Sequence, residues 1–146
     1  MPQEVSIFSR KEFLTSESSD LQGLLRYRIG TRIGFSYGTT LDNAIKDGIF
    51  KYVHRVTDGN VLIKLLISKR VDIVPFDRLG AYYRLKKLRV TNEVIELQPP
   101  IQSVPSYIAF SKSRNHAQLR DLFDQVVREM KMDGSYDRLT TYSLAQ

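Results

Sequence analysis

Two short stretches hold residue types suited to gripping a charged small molecule. In RIGFSYGTTLDNAIKDG, residues 32–48, a glycine and two threonines stand between an expected strand and an expected helix. A glycine at such a turn lets a ligand approach the backbone closely, and a helix starting at Thr39 or Thr40 aims unpaired N–H groups and hydroxyls at the same spot. The result is a seat for a carboxylate or a phosphate. The helix dipole adds about 0.3–1 kcal/mol when exposed and ~2 kcal/mol when partly buried, so direct hydrogen bonds must carry the affinity. The lysine of a P-loop and the glycine spacing of a dinucleotide fingerprint are both missing. In the second stretch, VDIVPFD at residues 71–77, an acid follows a buried strand. Asp77 has two readings: a cap for the helix that starts at Arg78, or a partner for a ligand's amino group. Asp72, between Val71 and Ile73, reads as structural.

The elements that would position these residues follow from periodicity. Strands are expected at residues 5–9, around Ile33 and Phe35, at 52–56, 71–74 and 94–97, and at 106–110 (SYIAF). Helices are expected with Leu41, Ala44, Ile45 and Ile49 inward, then with Leu62, Leu65 and Leu66 inward. In the first, Thr39 or Thr40 serves as cap; in the second, Asn60 caps and Lys69 and Arg70 complete the last turn. Another helix runs from Asp77 to about Lys87. The last long helix repeats Leu119, Leu122, Phe123, Val126, Val127 and Met130, with Gly134 at its C-terminal cap and a short helix from about Tyr136 to Leu144 beyond it. Residues 15–20 read as a loop, and Pro99, Pro100 and Pro105 keep their segment extended or looped. Alternating strands and helices predict an α/β fold with a mainly parallel sheet flanked by helices. In such a sheet Gly38 and Asp77 both lie beyond carboxyl ends of strands, the edge where open α/β sheets bind ligands. Amide donors at Thr39 and Thr40 facing an acid at Asp77 suit the two charges of an amino acid.

The 146 residues, 42% hydrophobic and 26% charged, suit one folded domain. No window approaches about eighteen uninterrupted apolar residues, and the N-terminus lacks the layout of a secretory signal. There is no cysteine, so disulfides and thiolate metal sites are ruled out. No metal or cofactor is expected. The net charge of +6 concentrates in RLGAYYRLKKLR, where Arg78, Arg84, Lys86, Lys87 and Arg89 interleave with Tyr82 and Tyr83. That run reads either as a solvated helix face with inward tyrosines or as a basic module for an anionic polymer. No nucleic-acid motif accompanies it, and nucleic acid is not an expected partner. His54 and His116 are far apart in sequence and no nucleophile motif is present, so the reading is a binding protein and not an enzyme.

In order along the chain, RIGTRIGFSYGTT, NVLIKLLISKRVDIVPFD, SYIAFSKS and LRDLFDQVVREMKMDGSYDRL resemble the successive signatures of family 3 bacterial solute-binding proteins. These deliver polar amino acids to ABC importers, and the resemblance spans residues 5–139. It implies a type II periplasmic-binding-protein lobe over residues 1–112, with two hinge strands, VSIFSR and SYIAFSK, followed by C-terminal helices over 113–146. It implies a ligand α-carboxylate at Gly38, Thr39 and Thr40, with Ser36 and Tyr37 at adjoining pocket positions. The α-amino group falls to Asp77. A periplasmic location and an ABC permease as partner follow from the same resemblance, and a sensory use of the module is the alternative.

Two departures stand out. Family members commonly carry a glycine before the arginine that ends the leucine helix, where this chain reads Ser68-Lys69-Arg70. Intact members also have a first lobe before a position like Val5, which supplies an aromatic platform and an arginine clamp. The expectation is therefore a single lobe that binds solute weakly because its site faces water. The apolar face of the last long helix then calls for repacking, dimerisation or domain swapping. The identity of the solute is not legible without the platform.

Overall fold

A computed structural model describes residues 3–13, 20–105 and 107–145. The chain separates into two compact units, 1–106 and 107–146. In the first, six strands form one sheet: β1 (Gln3–Arg10), β2 (Ile29–Arg32), β3 (Val53–Val56), β4 (Ile73–Asp77), β5 (Val94–Glu96) and β6 (Gln102–Val104). The order is β3-β2-β4-β1-β5, with β6 also paired to β1. The sheet is mixed. β2 runs parallel to β3 and β4, the half that the alternating strands and helices predict. β1 is antiparallel to β4, β5 and β6.

Helices cover both faces. α1 (Leu21–Leu24) and α2 (Thr39–Lys46) supply Leu24, Leu41 and Ala44 to a core with Val5, Ile7, Ile29 and Ile73. On the other face α3 (Gly59–Ile67) and α4 (Arg78–Lys87) pack Leu62, Leu66, Ala81 and Leu85 against Phe8, Val74 and Phe76. The two-residue alternation of β1 explains the division: Ile7 and Phe8 point to opposite faces, and both are fully buried. Each such side chain contributes about 1.5–3 kcal/mol by leaving water. Gly30 in β2 is a packing glycine, since a Cβ there would meet Leu62 at 2.6 Å and Val71 at 3.2 Å.

Several local expectations need correction. The strand placed around Ile33 and Phe35 lies earlier, at Ile29–Arg32; its ladders to β3 and β4 end there, and Ile33 is 58% exposed. Ile49 is exposed too, because α2 ends at Lys46 and Gly48 turns the chain at φ 70°. Asp58, not Asn60, caps α3, accepting the Asn60 N–H at 2.6 Å. Lys69 lies past the end of that helix in a left-handed conformation, φ 63°. β4 runs on through Pro75 to Asp77. Pro75 lacks an N–H, but it lies beyond Ile29–Ile73, the register pair that joins β4 to β2. The prolines around residue 102 hide the three-residue strand β6.

At the edge of the sheet opposite the carboxyl ends of β2 and β4, Arg10 is buried. Its Nη1 donates to the carbonyls of Leu66 at 2.6 Å and Val71 at 2.7 Å. Asp72 beside it accepts from the Arg28 backbone N–H at 3.0 Å and from its Nε and Nη2 at 2.9 and 2.7 Å. Asp72 is thus structural, as its apolar neighbours suggest.

The second unit contains α5 (Ala117–Met132) and α6 (Ser135–Ala145), with Gly134 at φ 75° between them. The strand expected over 106–110 is absent from the described residues Tyr107–Phe110. No strand is described within this unit for it to pair with. Instead Phe110 packs edge-on against Phe123. Leu119, Leu122 and Val126 on α5 are exposed. Of the loop expected at 15–20, all but Asp20 lies outside the described residues.

Candidate functional site

β2 and β4 are parallel neighbours, so Gly38, in the turn after β2, and Asp77, at the end of β4, belong to one edge of the sheet. α2 and α4 both start at that edge, which directs two sets of helix N-terminal amides toward it.

The turn before α2 is not held by threonine. Gly38 is the N-cap residue, at φ 95°, and no side chain caps the helix from that position. Thr39 and Thr40 fall inside the first turn, where their hydroxyls cannot reach back to the following amides as a capping side chain does. Asp42 performs the reach-back. Its carboxylate accepts the Tyr37 N–H at 2.9 Å and the Ser36 hydroxyl at 2.6 Å, and Ser36 Oγ in turn accepts the Gly38 N–H at 3.3 Å. This arrangement leaves the Thr39 and Thr40 amides without a protein partner among the described residues, and both threonines are exposed. A carboxylate at Asp42 also offsets part of the positive helix end.

Tyr37 turns inward. Its ring is buried, 2% exposed, and its hydroxyl accepts the Arg32 N–H at 2.7 Å. Burial pushes the phenol's pKa up against the partial relief given by Arg32, and the charges of Asp42 and Asp77 add to the rise.

Asp77 has the structural role foreseen for it: it caps α4, accepting the Gly80 N–H at 2.7 Å. One such bond does not exhaust a carboxylate, which offers about four acceptor positions. Asp77 is half-buried at the sheet edge.

Sequence reasoning missed Gln102. It pairs with Val5 across β1, and Val5 pairs on its other side with Asp77. The far end of the Gln102 side chain lies against Gly38, where a Cβ would have to displace it. Its Oε1 is shut off from solvent and has no hydrogen-bond donor among the described residues. A glutamine between prolines gives no periodic signal, so only the pairing of β6 with β1 exposes its place.

The basic run that starts α4 is engaged in its first half, while Lys86, Lys87 and Arg89 are exposed. Arg78 pairs with Glu4 at 2.9 Å and Glu96 at 3.1 Å, Arg84 lies over Phe76, and Tyr82 donates to Glu96 at 2.8 Å while packing on Phe8. Tyr83 is exposed. His54 is exposed on β3, and His116 precedes α5 in the other unit. Among the described residues no group of three or more histidines, cysteines or acids is placed to hold a metal ion. No described helix is long and apolar enough to cross a membrane.

No protein-family model and no curated protein sequence matches the chain. Solved structures do. An ancestral arginine-binding protein bound to glutamine superposes with a TM-score of 0.72 at 22% identity, covering 100% of this chain and 61% of that one. An amino acid ABC transporter substrate-binding protein from Streptococcus pneumoniae, bound to L-arginine, gives 0.71 at 17% identity, covering 99% and 57%. The ancestral amino acid-binding protein AncCDT-1, a precursor of cyclohexadienyl dehydratase, gives 0.71 at 20% identity, covering 99% and 59%. The chain therefore spans about three-fifths of the length of the structures it resembles. Nothing in these likenesses supports dimerisation. At such identities they speak for the fold alone: a mixed α/β sheet flanked by helices, similar to the type II periplasmic-binding-protein lobes of amino-acid-binding and ABC substrate-binding proteins.

Proposed function

We propose that residues 1–106 form one wall of a solute site that takes an amino acid by its two charged ends, within a periplasmic protein that serves an ABC importer. The α-carboxylate sits on the N–H groups of Thr39 and Thr40 beside Gly38, and the α-ammonium meets Asp77. The observation that carries this reading is the shared edge: unpartnered amides after β2 and a half-buried carboxylate at the tip of the adjacent parallel strand β4. The fold's likeness to proteins bound to glutamine and L-arginine supports it. Ser36 and Tyr37 shape the turn beneath the ligand, one by its bond to Asp42 and the other from within the core.

Binding by this wall is weak. Thr39 and Thr40 are exposed, where water competes for their donors and an ion pair contributes only about 0–1 kcal/mol. Asp42 opposes a second carboxylate nearby.

Titration of the isotope-labelled chain with millimolar L-arginine and L-glutamine, followed by amide NMR, tests the assignment. The Thr39 and Thr40 amides are expected to shift in step, and Asp77→Lys to abolish the response. Submicromolar affinity by calorimetry, or saturable shifts confined to residues away from this edge, would overturn it.

A further inference from the structure

We infer that Gln102 is a ligand-contacting residue of this site, its side-chain carbonyl accepting a hydrogen bond from the ammonium of the bound amino acid. The inference rests on the reading that Thr39, Thr40 and Asp77 hold the zwitterion.

Three observations converge on it. Gln102 and Asp77 flank Val5 on neighbouring ladders, so the glutamine stands at the same sheet edge as the proposed acid. Its side chain reaches Gly38, the residue that opens the amide-bearing turn, and its far end lies where a Cβ on that residue would stand. Its Oε1 is buried without any donor among the described residues. Buried polar atoms are nearly always satisfied, so this acceptor gives up no hydrogen bond when the flexible side chain turns outward to a ligand at the edge. A glutamine amide supplies an acceptor and two donors on one rigid plane, so it can meet the ammonium with its oxygen and a neighbouring carboxylate with its nitrogen. A role in packing alone would account for the contact with Gly38 but would leave the orphaned oxygen unexplained.

The side-chain NH2 signals of Gln102 report directly on this contact. In the full chain titrated with L-arginine, they are expected to shift along the same binding curve as the Thr39 and Thr40 amides. Gln102→Leu, close in size but without an acceptor, is expected to weaken binding about tenfold or more. Gln102→Glu, with a charged acceptor in the same place, is expected to retain it. If the threonine amides respond while the Gln102 signals stay still, or if Gln102→Leu binds as tightly as the parent, the glutamine is a packing residue and the amino-acid site survives without it. If no residue at this edge responds, both fall. Should Gln102→Leu fail to fold, the parent's side-chain signals and Gln102→Glu still decide.

Discussion

The backbone of Gly38 lies directly against the side-chain carbonyl of Gln102 at a φ of 95°, so a side chain at position 38 would be strained in its backbone and would have to push the glutamine's flexible end aside. At φ 95° and ψ 158° Gly38 occupies a region that is essentially glycine's alone, which costs another residue toward the upper end of about 1–3 kcal/mol, while moving the far end of Gln102 adds little. Gly38→Ala is therefore expected to lower the unfolding free energy by about 2 kcal/mol or more. Gly34 is the control: its φ is 74°, but a Cβ there meets open space. Gly34→Ala is expected to cost about 1 kcal/mol, the backbone share alone. Urea titrations of the two variants make the comparison.

Capping and ligand binding at Asp77 separate chemically. Asn is as good an N-cap as Asp, so Asp77→Asn is expected to leave stability within about 0.5 kcal/mol while removing the charge that meets the ammonium. Asp77→Ala removes the acceptor for the Gly80 N–H and is expected to cost about 1 kcal/mol. Thermal melts alongside amide titrations distinguish the two roles. An Asp77→Asn variant with undiminished solute response would mean that the residue serves the helix only.

Acid sensitivity is expected to run partly through Asp72. Burial pushes its pKa up, but the hydrogen bonds from Arg28 and the charges of Arg28 and Arg10 together outweigh burial and hold it below the ordinary carboxyl value. A group depressed in the folded state gives stability that is complete above its unfolded pKa of about 3.9 and is lost as the pH falls through the lower folded value. Asp72→Asn is expected to reduce stability near neutral pH by about 1–3 kcal/mol and to flatten the decline below about pH 4. Equal acid slopes for parent and variant would remove Asp72 from that account.

Lys69 carries the left-handed conformation that follows α3, φ 63°, at the position where the resembled family commonly has glycine. Relieving the backbone is expected to stabilise Lys69→Gly by about 0.5–1 kcal/mol. The ion pair with Glu12 that this change removes is solvent-exposed and offsets little of the gain. A shift of the denaturation midpoint to higher urea checks it.

What could be read from the residues follows from the range over which each signal acts. The helices of Leu62, Leu65 and Leu66 and of Leu119 to Met130 announce themselves because burial imposes a local period, and the parallel half of the sheet follows from the alternation of strand and helix. The cap at Asp77 was legible because it needs only a following helix. Pairing across the sheet leaves no such mark. That β1 lies antiparallel between β4 and β5, that β6 exists, and that Gln102 reaches Gly38 all depend on residues distant in the chain. Thr39 and Thr40 misled as caps because Asp42, one turn into the helix, takes the task of organising the loop.

Because β1 is an inner strand of the sheet, its residues leave the ribosome well before the strands that they pair with. Val5 to Ser9 cannot bond to their partners on β4 until Ile73–Asp77 has left the ribosome, and the ladder to β5 waits longer still. Such distant pairing makes for slow folding, with the apolar segment of Ile7 and Phe8 in water meanwhile, a natural foothold for a chaperone during biogenesis.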